Sequence, residues 1–303
     1  MRVTSLSRVL WPASKGVPAI TKRDLLLYYA QVGGFMLPHL QDRPLAFVRF
    51  PDGLEGKERF FQKHWDKGRP EFVQTVCIWS DKNKGPRDWI VCNNLATLLW
   101  LCQISSLEIH AWYSRIMPDG ERPMDFSSSP ESLEASVLSY PDFVVFDLDP
   151  NLKDTESTFD KPAFRKTVAV ACELREYLDK LGMKAFLKTS GKTGLHLYIP
   201  IRREHPYDEV KAWAKAVGKE IESRCPEEVT MEWSLSKRPN KIFIDHNQNV
   251  RGKTLVAIYS TRPAVDAPVS FPVSWDDLED IDPREFTMRT APKLLQKQGD
   301  PWA

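Results

Sequence analysis

Two aspartates two residues apart carry the clearest chemical signal in this chain. They stand in Phe143-Val144-Val145-Phe146-Asp147-Leu148-Asp149-Pro150. Four consecutive apolar residues, β-branched and aromatic, predict a buried strand. Side chains alternate along a strand, so Asp147 and Asp149 share one side. Two neighbouring carboxylates repel each other and need a shared proton or a cation between them. Pro150 ends the ladder, so the strand delivers two anionic oxygens at its C-terminal end. That donor set suits a hard divalent metal, Mg2+ or Mn2+. The same pattern also describes a strand-end turn with solvated carboxylates, or a phosphatase whose first Asp is the nucleophile.

A second candidate lies downstream. Ser190-Gly191-Lys192-Thr193-Gly194 joins predicted strands over 184–189 and 195–200, the latter carrying His196. Glycines let backbone N–H groups approach a phosphate, while Ser, Lys, Thr and His add donors. A plain hairpin turn uses the same residues. The stretch is not a Walker A loop, because G-x-x-x-x-G-K-[ST] is absent. Further on, the basic loop 236–241 carries Arg238 and leads to Ile242-Phe243-Ile244-Asp245, a short apolar strand ending in another Asp. A strand over 255–260 leads to Arg262.

The elements that must position these residues can be read in part. The chain has 303 residues, 42% hydrophobic and 27% charged, at net charge +1. That is ordinary for a soluble enzyme with ample core. No overall basicity advertises nucleic acid, so any such surface is a local patch. Cys77, Cys92, Cys102, Cys172 and Cys225 form no metal-binding spacing and read as reduced thiols. No leader or 18-residue apolar run is present, which predicts a cytoplasmic protein with no membrane span.

Thr21 caps a helix with Asp24 at its third position, and Gly33-Gly34 weakens that helix's end. Residues 43–50 read as a strand. In 57–69, basic residues adjoin Phe60 and Phe61. That suits phosphate contact with base stacking, but pattern alone favours a strand with one ring inward and one exposed. Residues 79–87 read as a basic loop, 93–104 as a buried helix, and 107–112 as a strand carrying His110. A lone strand histidine reads first as hydrogen-bonded structure. Residues 113–140 read as a Pro/Ser-rich connection. Helices follow over 160–181, with Gly182 just past the end, and 207–224.

Taken in order, these stretches resemble the archaeo-eukaryotic primase superfamily. More closely, they resemble the polymerase domain of bacterial ligase D, an end-joining polymerase-primase. Matching stretches include Arg49-Phe50-Pro51-Asp52-Gly53, Phe60-Phe61-Gln62-Lys63-His64, Glu108-Ile109-His110, Phe146-Asp147-Leu148-Asp149-Pro150, Lys188-Thr189-Ser190-Gly191, Gly194-Leu195-His196 and Tyr259-Ser260-Thr261-Arg262. The resemblance implies an α/β (α+β) fold, a primase-type mixed sheet with flanking helices and a β-rich N-terminal half. It implies one domain over 1–303, with a DNA and 5′-phosphate surface in 1–140 and the metal and nucleotide core in 141–303. No ligase or nuclease segment is attached, so a stand-alone form is expected.

The implied activity is template-dependent nucleotide addition, filling gaps and extending 3′ ends at double-strand breaks, with ribonucleotides preferred over deoxyribonucleotides. Asp147, Asp149 and Asp245 would hold two divalent metals, Mn2+ preferred and Mg2+ possible. Ser190, Lys192, Thr193, His196, His110, Arg238, Gln248 and Arg262 would contact the NTP or dNTP. Ser5, Arg8 and Lys22 would grip a downstream 5′-phosphate, with Arg49, Phe60, Phe61 and Lys63 near the template. The family commonly has Asn and Lys where this chain has Ser5 and Arg8. Its hairpin lysine directly precedes the second glycine, where this chain has Thr193, with Lys192 one place earlier. Implied partners are DNA ends, an ATP-dependent DNA ligase and a Ku-like end-binding protein, with two molecules pairing across a break near the nucleoid.

Two other readings compete. A phosphatase with Asp147 as nucleophile and Asp149 as acid needs a downstream acidic pair, and Asp276-Asp277 could be mistaken for one. A non-catalytic module could instead bridge 5′-phosphorylated ends through the basic and aromatic N-terminal half.

Overall fold

Thr21 starts the first long helix by a reciprocal cap. Its side chain accepts from the Asp24 N–H, and Asp24 accepts from the Thr21 N–H at 2.7 Å, which satisfies two otherwise orphaned donors. The computed structural model that shows this describes residues 2–14, 16–150, 159–234, 236, 238 and 240–303. Helix α1 (Lys22–Leu40) does not weaken at Gly33-Gly34 but continues to Leu40. Gly33 has a packing role instead. A Cβ there would lie 2.7 Å from Leu95 Cδ1 of α2 (Leu95–Gln103), so glycine permits the close approach of the two helices.

Ahead of α1, β1 (Val9–Trp11) and β2 (Ile20–Thr21) form a small ladder in a region expected to be irregular. The first large sheet is built around β3 (Pro44–Arg49). It pairs with β4 (Phe60–Gln62) and β6 (Gly85–Val91) along one edge and β7 (Ser106–Ala111) along the other. β5 (Gln74–Ser80) extends the sheet beyond β6. Residues 79–87, expected as a loop, are mostly hairpin, and only 81–84 leave the ladder. Pro86 pairs with Trp79 next to the turn, on a strand that lies beside the sheet's edge strand. The 113–140 connection also holds a short helix, α3 (Pro130–Ala135), capped by Ser129. Serine-rich sequence reads as loop because serine competes for backbone groups, and the same property makes it a cap.

The second sheet is built around β8 (Phe143–Pro150), in which Pro150 still pairs with Ile242 of the neighbouring strand. Asp160 then caps α4 (Lys161–Lys180), and Gly182 follows it at φ +70°. β9 (Phe186–Thr189), β10 (Leu195–Pro200), α5 (Tyr207–Arg224), β11 (Val229–Thr230) and β12 (Ile242–Asp245) succeed one another. β13 (Leu255–Val256) returns to the first sheet beside β7. The strand expected over 255–260 stops there, because Tyr259 adopts φ +62° and the chain turns. β14 (Pro272–Val273) and α6 (Ala291–Gln298) complete the described elements. The second sheet runs β11-β12-β8-β10-β9-β14, and the first β13-β7-β3-β6-β5 with β4 beside β3.

Alternation divides each strand's work. Val144, Phe146 and Leu148 of β8, with Leu195, Leu197, Ile199, Ile242 and Ile244, join the core with α4 and α5. The intervening residues, Asp147 and Asp149 among them, turn to the opposite face. In β7, Leu107 and Ile109 join the same core, which leaves Glu108 and His110 on the other side. The five cysteines are free. Among the described residues no helix is long and apolar enough to cross a membrane.

Candidate active site

Strand register assembles the acidic residues. Asp147 lies opposite Asp245 of β12 on one side and opposite His196 of β10 on the other. Cross-strand partners project to one face, and Asp149 stands there two residues on. The three carboxylates chosen from sequence therefore share one face. Gln248 donates to Asp245 Oδ2 at 3.0 Å and the Asn247 N–H to Oδ1 at 2.8 Å. Asn249, which the sequence did not single out, exchanges hydrogen bonds with the Val145 N–H and carbonyl, both 2.8 Å. Its side chain continues the ladder past the end of β12 and fixes the turn that carries Gln248.

The β9–β10 hairpin lies directly beside β8. At Gly194 a Cβ would collide with the Leu148 carbonyl oxygen and lie 3.2 Å from Asp149 Oδ1. Gly191, at φ +71°, would place one 2.7 Å from Arg262 Cγ. Both glycines are thus required by close approach. Ser190 Oγ accepts from the Gly194 N–H at 3.0 Å and the Lys192 N–H at 3.2 Å. Its own hydroxyl hydrogen stays available to an anion. Thr193 is half-buried in this turn. Lys192 lies within electrostatic reach of Arg262, Glu108 and Asp149, and burial followed by Arg262 lowers its pKa.

Behind the hairpin is a buried relay that the sequence reading missed. Lys188, with no exposed surface, donates to His196 Nδ1 at 2.7 Å and to Ser270 Oγ at 2.6 Å. His196 must then carry its hydrogen on Nε2, which faces Asp147 Oδ1 at 3.3 Å. Burial, then the charge of Lys188, lowers the His196 pKa far below its usual value and keeps the ring neutral. Across the cleft, His110 Nε2 meets Glu108 Oε1 at 2.5 Å, and Arg262 Nε lies 3.3 Å from Glu108 Oε2. His110 Nδ1 is buried without a partner. Burial acts to raise the Glu108 pKa, but the His110 hydrogen bond and Arg262 together bring it down to about 2. Alternation in Glu108-Ile109-His110 was the available signal for Glu108. A lysine inside an apolar strand was the signal for Lys188.

Asp147 and Asp149 shift the other way. Burial raises Asp147 against the pull of Lys188 and Arg262. Burial, then repulsion by Asp147, raises Asp149. Asp149 still reaches solvent, so water moderates its burial, and repulsion is the more secure cause. Burial also raises Asp245. Arg238 packs 3.9 Å from the centre of the Phe243 ring and donates to the Trp233 carbonyl at 3.1 Å. Phe243 lies opposite Asp149, so Arg238 borders the same face.

A divalent cation fits this donor set, since three oxygen donors share a face where at least two repel. Among the described residues no three His, Cys, Asp or Glu side chains already close on one metal-sized point. Oxygens from substrate or water would have to complete a coordination shell, as is usual for Mg2+.

The N-terminal candidates form a second locus. The Arg8 N–H donates to the Ser5 carbonyl at 3.0 Å, and the Lys22 N–H donates to the Arg8 carbonyl at 2.9 Å. The Arg8 guanidinium rests on the Pro51 carbonyl and 3.4 Å from Asp52 Oδ1. Lys22 is nearly fully buried and donates to the Gln103 carbonyl at 2.9 Å. Burial, then Arg8, lowers its pKa. Arg49 donates to the neighbouring Ile104 carbonyl at 3.0 Å, so Lys22 and Arg49 together meet the negative end of α2. Phe60 and Phe61 are 44% and 52% exposed, so neither ring turns inward as the pattern suggested. Phe61 lies edge-on to His110, with ring centres 5.6 Å apart. Lys63 donates to the Gly252 carbonyl at 3.4 Å. Asp276 and Asp277 line a groove with Lys184 and Trp275 at the β9–β14 edge, strands away from Asp147, and so give the phosphatase reading no second acidic pair.

Similarity to known proteins agrees with this arrangement. A family model described as "LigD, primase-polymerase domain" matches residues 21–302. The bifunctional non-homologous end joining protein LigD of Bacillus subtilis is 30% identical over 304 residues, covering all of this chain and 43% of the relative. The multifunctional LigD of Pseudomonas aeruginosa is 32% identical over 308 residues, covering all of this chain and 32% of the relative. The chain thus spans roughly a third to two fifths of these relatives. The polymerase domain of Mycobacterium tuberculosis ligase D, solved in complex with DNA, superposes with a TM-score of 0.82 at 28% identity, over 99% of this chain and 96% of that one. The chain belongs to the LigD primase-polymerase domain family.

Proposed function

We propose that this protein adds nucleotides to a DNA 3′ end in a template-directed manner at breaks that carry a downstream 5′-phosphate. The observation that carries this reading is the shared face of β8, β10 and β12, where Asp147, Asp149 and Asp245 stand beside the Ser190–His196 hairpin and Arg262. Asp147, Asp149 and Asp245 would hold two divalent cations, Mn2+ in preference to Mg2+. Bound there, the cations would neutralise triphosphate charge and favour ionisation of the primer hydroxyl. Arg262 and Lys192 supply charge to phosphate oxygens. Ser190 donates through its hydroxyl and the neutral His196 through Nε2. His110 and Phe61 border the sugar and base, with Arg238 and Gln248 on the β12 side. Ser5, Arg8 and Lys22 would contact the 5′-phosphate, near exposed Phe60 and Phe61, which offer stacking surfaces. A ligase and a Ku-like protein are its expected partners at DNA ends, and ribonucleotides its preferred substrates.

The test is primer extension on a gapped duplex with a downstream 5′-phosphate, Mn2+, and NTPs or dNTPs. Template-directed addition should fall by about 10³-fold or more in Asp147→Ala, a loss at least as large as that from deleting one pre-organised catalytic donor. Unchanged addition by that variant would remove the metal assignment. Tight 5′-phosphate-dependent binding with no addition by the wild type would leave only the bridging module.

A further inference from the structure

Arg262 is not fixed by its own side chain. Its Nε lies 3.3 Å from Glu108 Oε2 yet finds no hydrogen-bond partner. Its placement therefore falls to the backbone that carries it. Tyr259, three residues earlier, adopts φ +62°, a region that a bulky residue occupies only where its surroundings hold it there. One edge of segment 259–262 is tied to 268–270. The Tyr259 N–H donates to the Ser270 carbonyl and the Arg262 N–H to the Pro268 carbonyl, both at 2.7 Å. Other backbone groups of the segment are taken by side chains of β1 and α1. The Tyr28 hydroxyl donates to the Tyr259 carbonyl at 2.7 Å, and the Thr261 N–H donates to the Tyr29 hydroxyl at 3.2 Å. Trp11 Nε1 donates to the Arg262 carbonyl at 3.1 Å. Trp11, Tyr28 and Tyr29 are at most 2% exposed. Water cannot replace these partners, so a shift of the segment leaves buried polar groups unpaired.

We propose that Trp11, Tyr28 and Tyr29 are positioning residues for Arg262. They hold the 259–262 backbone so that the guanidinium meets the triphosphate of an incoming nucleotide. This rests on the polymerase reading above. A guanidinium grips phosphate through two parallel hydrogen bonds, which demand alignment as well as charge. A displacement of about 1 Å in such a group can cost about 10²-fold. The three side chains act through Arg262 rather than on the nucleotide. Their place in the fold adds a consequence. Arg8 directly precedes β1 and Lys22 opens α1, so the unit that bears the 5′-phosphate candidates also sets one contact to the nucleotide.

The test reads ATP affinity in the presence of Mn2+ and without DNA. Trp11→Phe and Tyr28→Phe each keep a buried ring and delete one donor. Each should weaken ATP by about 10- to 100-fold, the range for a partner that aligns a binding group. In an Arg262→Gln background the same changes should cost less than about twofold more, because the group they align is gone. In primer extension the nucleotide KM should rise by more than kcat falls. Leu25→Val, on the buried face of α1 and outside these hydrogen bonds, should lower Tm and leave ATP affinity near wild type. Melting temperatures report which variants fold, and the Leu25→Val comparison decides the assignment if Arg262→Gln does not. Unchanged ATP affinity in Trp11→Phe, an equal loss in both Arg262 backgrounds, or an equal loss in Leu25→Val overturns it. Affinity is read without turnover, so a wild type that binds ATP but extends no primer defeats the polymerase reading, while the affinities still decide the positioning role.

Discussion

Glu108 on β7 and the pair Asp147 and Asp149 on β8 have Arg262 as a common neighbour, yet their proton affinities move in opposite directions. Glu108 receives a hydrogen bond from His110 and lies 3.3 Å from Arg262. Among the described residues the pair on β8 shows no ion pair with a lysine or arginine, and Lys188 is turned to His196 and Ser270. The comparison separates two uses of a carboxylate in one cleft. One is compensated by the protein and positions its neighbours. The other is left under-compensated, and a bound cation would complete it.

The strongest way to break this comparison is to remove the compensated partner. Glu108→Gln leaves Arg262 buried opposite a neutral amide. Deleting one member of a buried pair costs about 3–5 kcal/mol, so a large fall in Tm is expected. The pH dependence sharpens the point. Glu108 ordinarily titrates at 4.5 and is held at about 2 in the fold. A depressed carboxylate contributes stability above its unfolded value, and that contribution disappears as pH falls through the folded one. The stability difference between wild type and variant should therefore shrink between about pH 4.5 and pH 2. A difference that stays constant through that window would mean that Glu108 is not ionised by its partners.

A smaller effect is expected behind the hairpin. Lys188→Met removes the donor that fixes the His196 tautomer. Outer-shell partners of this kind typically contribute about 10- to 100-fold, here expected mainly in KM for the nucleotide, while the fold persists on its apolar neighbours. If kcat and KM for the nucleotide both hold at wild-type values, Lys188 serves packing alone.

How much of this could be read beforehand depends on whether local pattern or register decides it. The caps at Thr21 and Asp160, the apolar run into Asp147 and the turn at Gly182 are local, and each appears where the sequence placed it. The β5–β6 hairpin was hidden because its exposed side is polar and Pro86 resembles a breaker. Gly33 misled because a glycine that ends a helix and one that admits a neighbouring helix look alike in one dimension. In the site, Asp147 and Asp149 were legible from strand alternation, and Asp245 as the end of a short apolar strand that only the family resemblance joined to them. Glu108, Lys188, Ser270 and Asn249 were not assigned, because their roles come from contacts between segments distant in sequence.

The smallest expected effect tests the under-compensated side. Raised carboxylates favour the protonated native state, so their contribution to stability is present at low pH and is lost as pH rises through their folded values. Metal-free wild type should thus lose some stability on going from mildly acidic to neutral pH. Asp149→Asn removes one charge and the repulsion with Asp147, so the variant's Tm should vary less over the same range. Solvent access to Asp149 keeps the difference to a few degrees. Mn2+ should raise the wild-type Tm at neutral pH and do so less in the variant, because a ligand bound only by the folded state stabilises it in proportion to its affinity. Equal Mn2+ responses in both proteins would show that Asp149 is not a ligand. A metal-free wild type as stable at neutral pH as at mildly acidic pH would show that the pair on β8 is compensated after all, as Glu108 is.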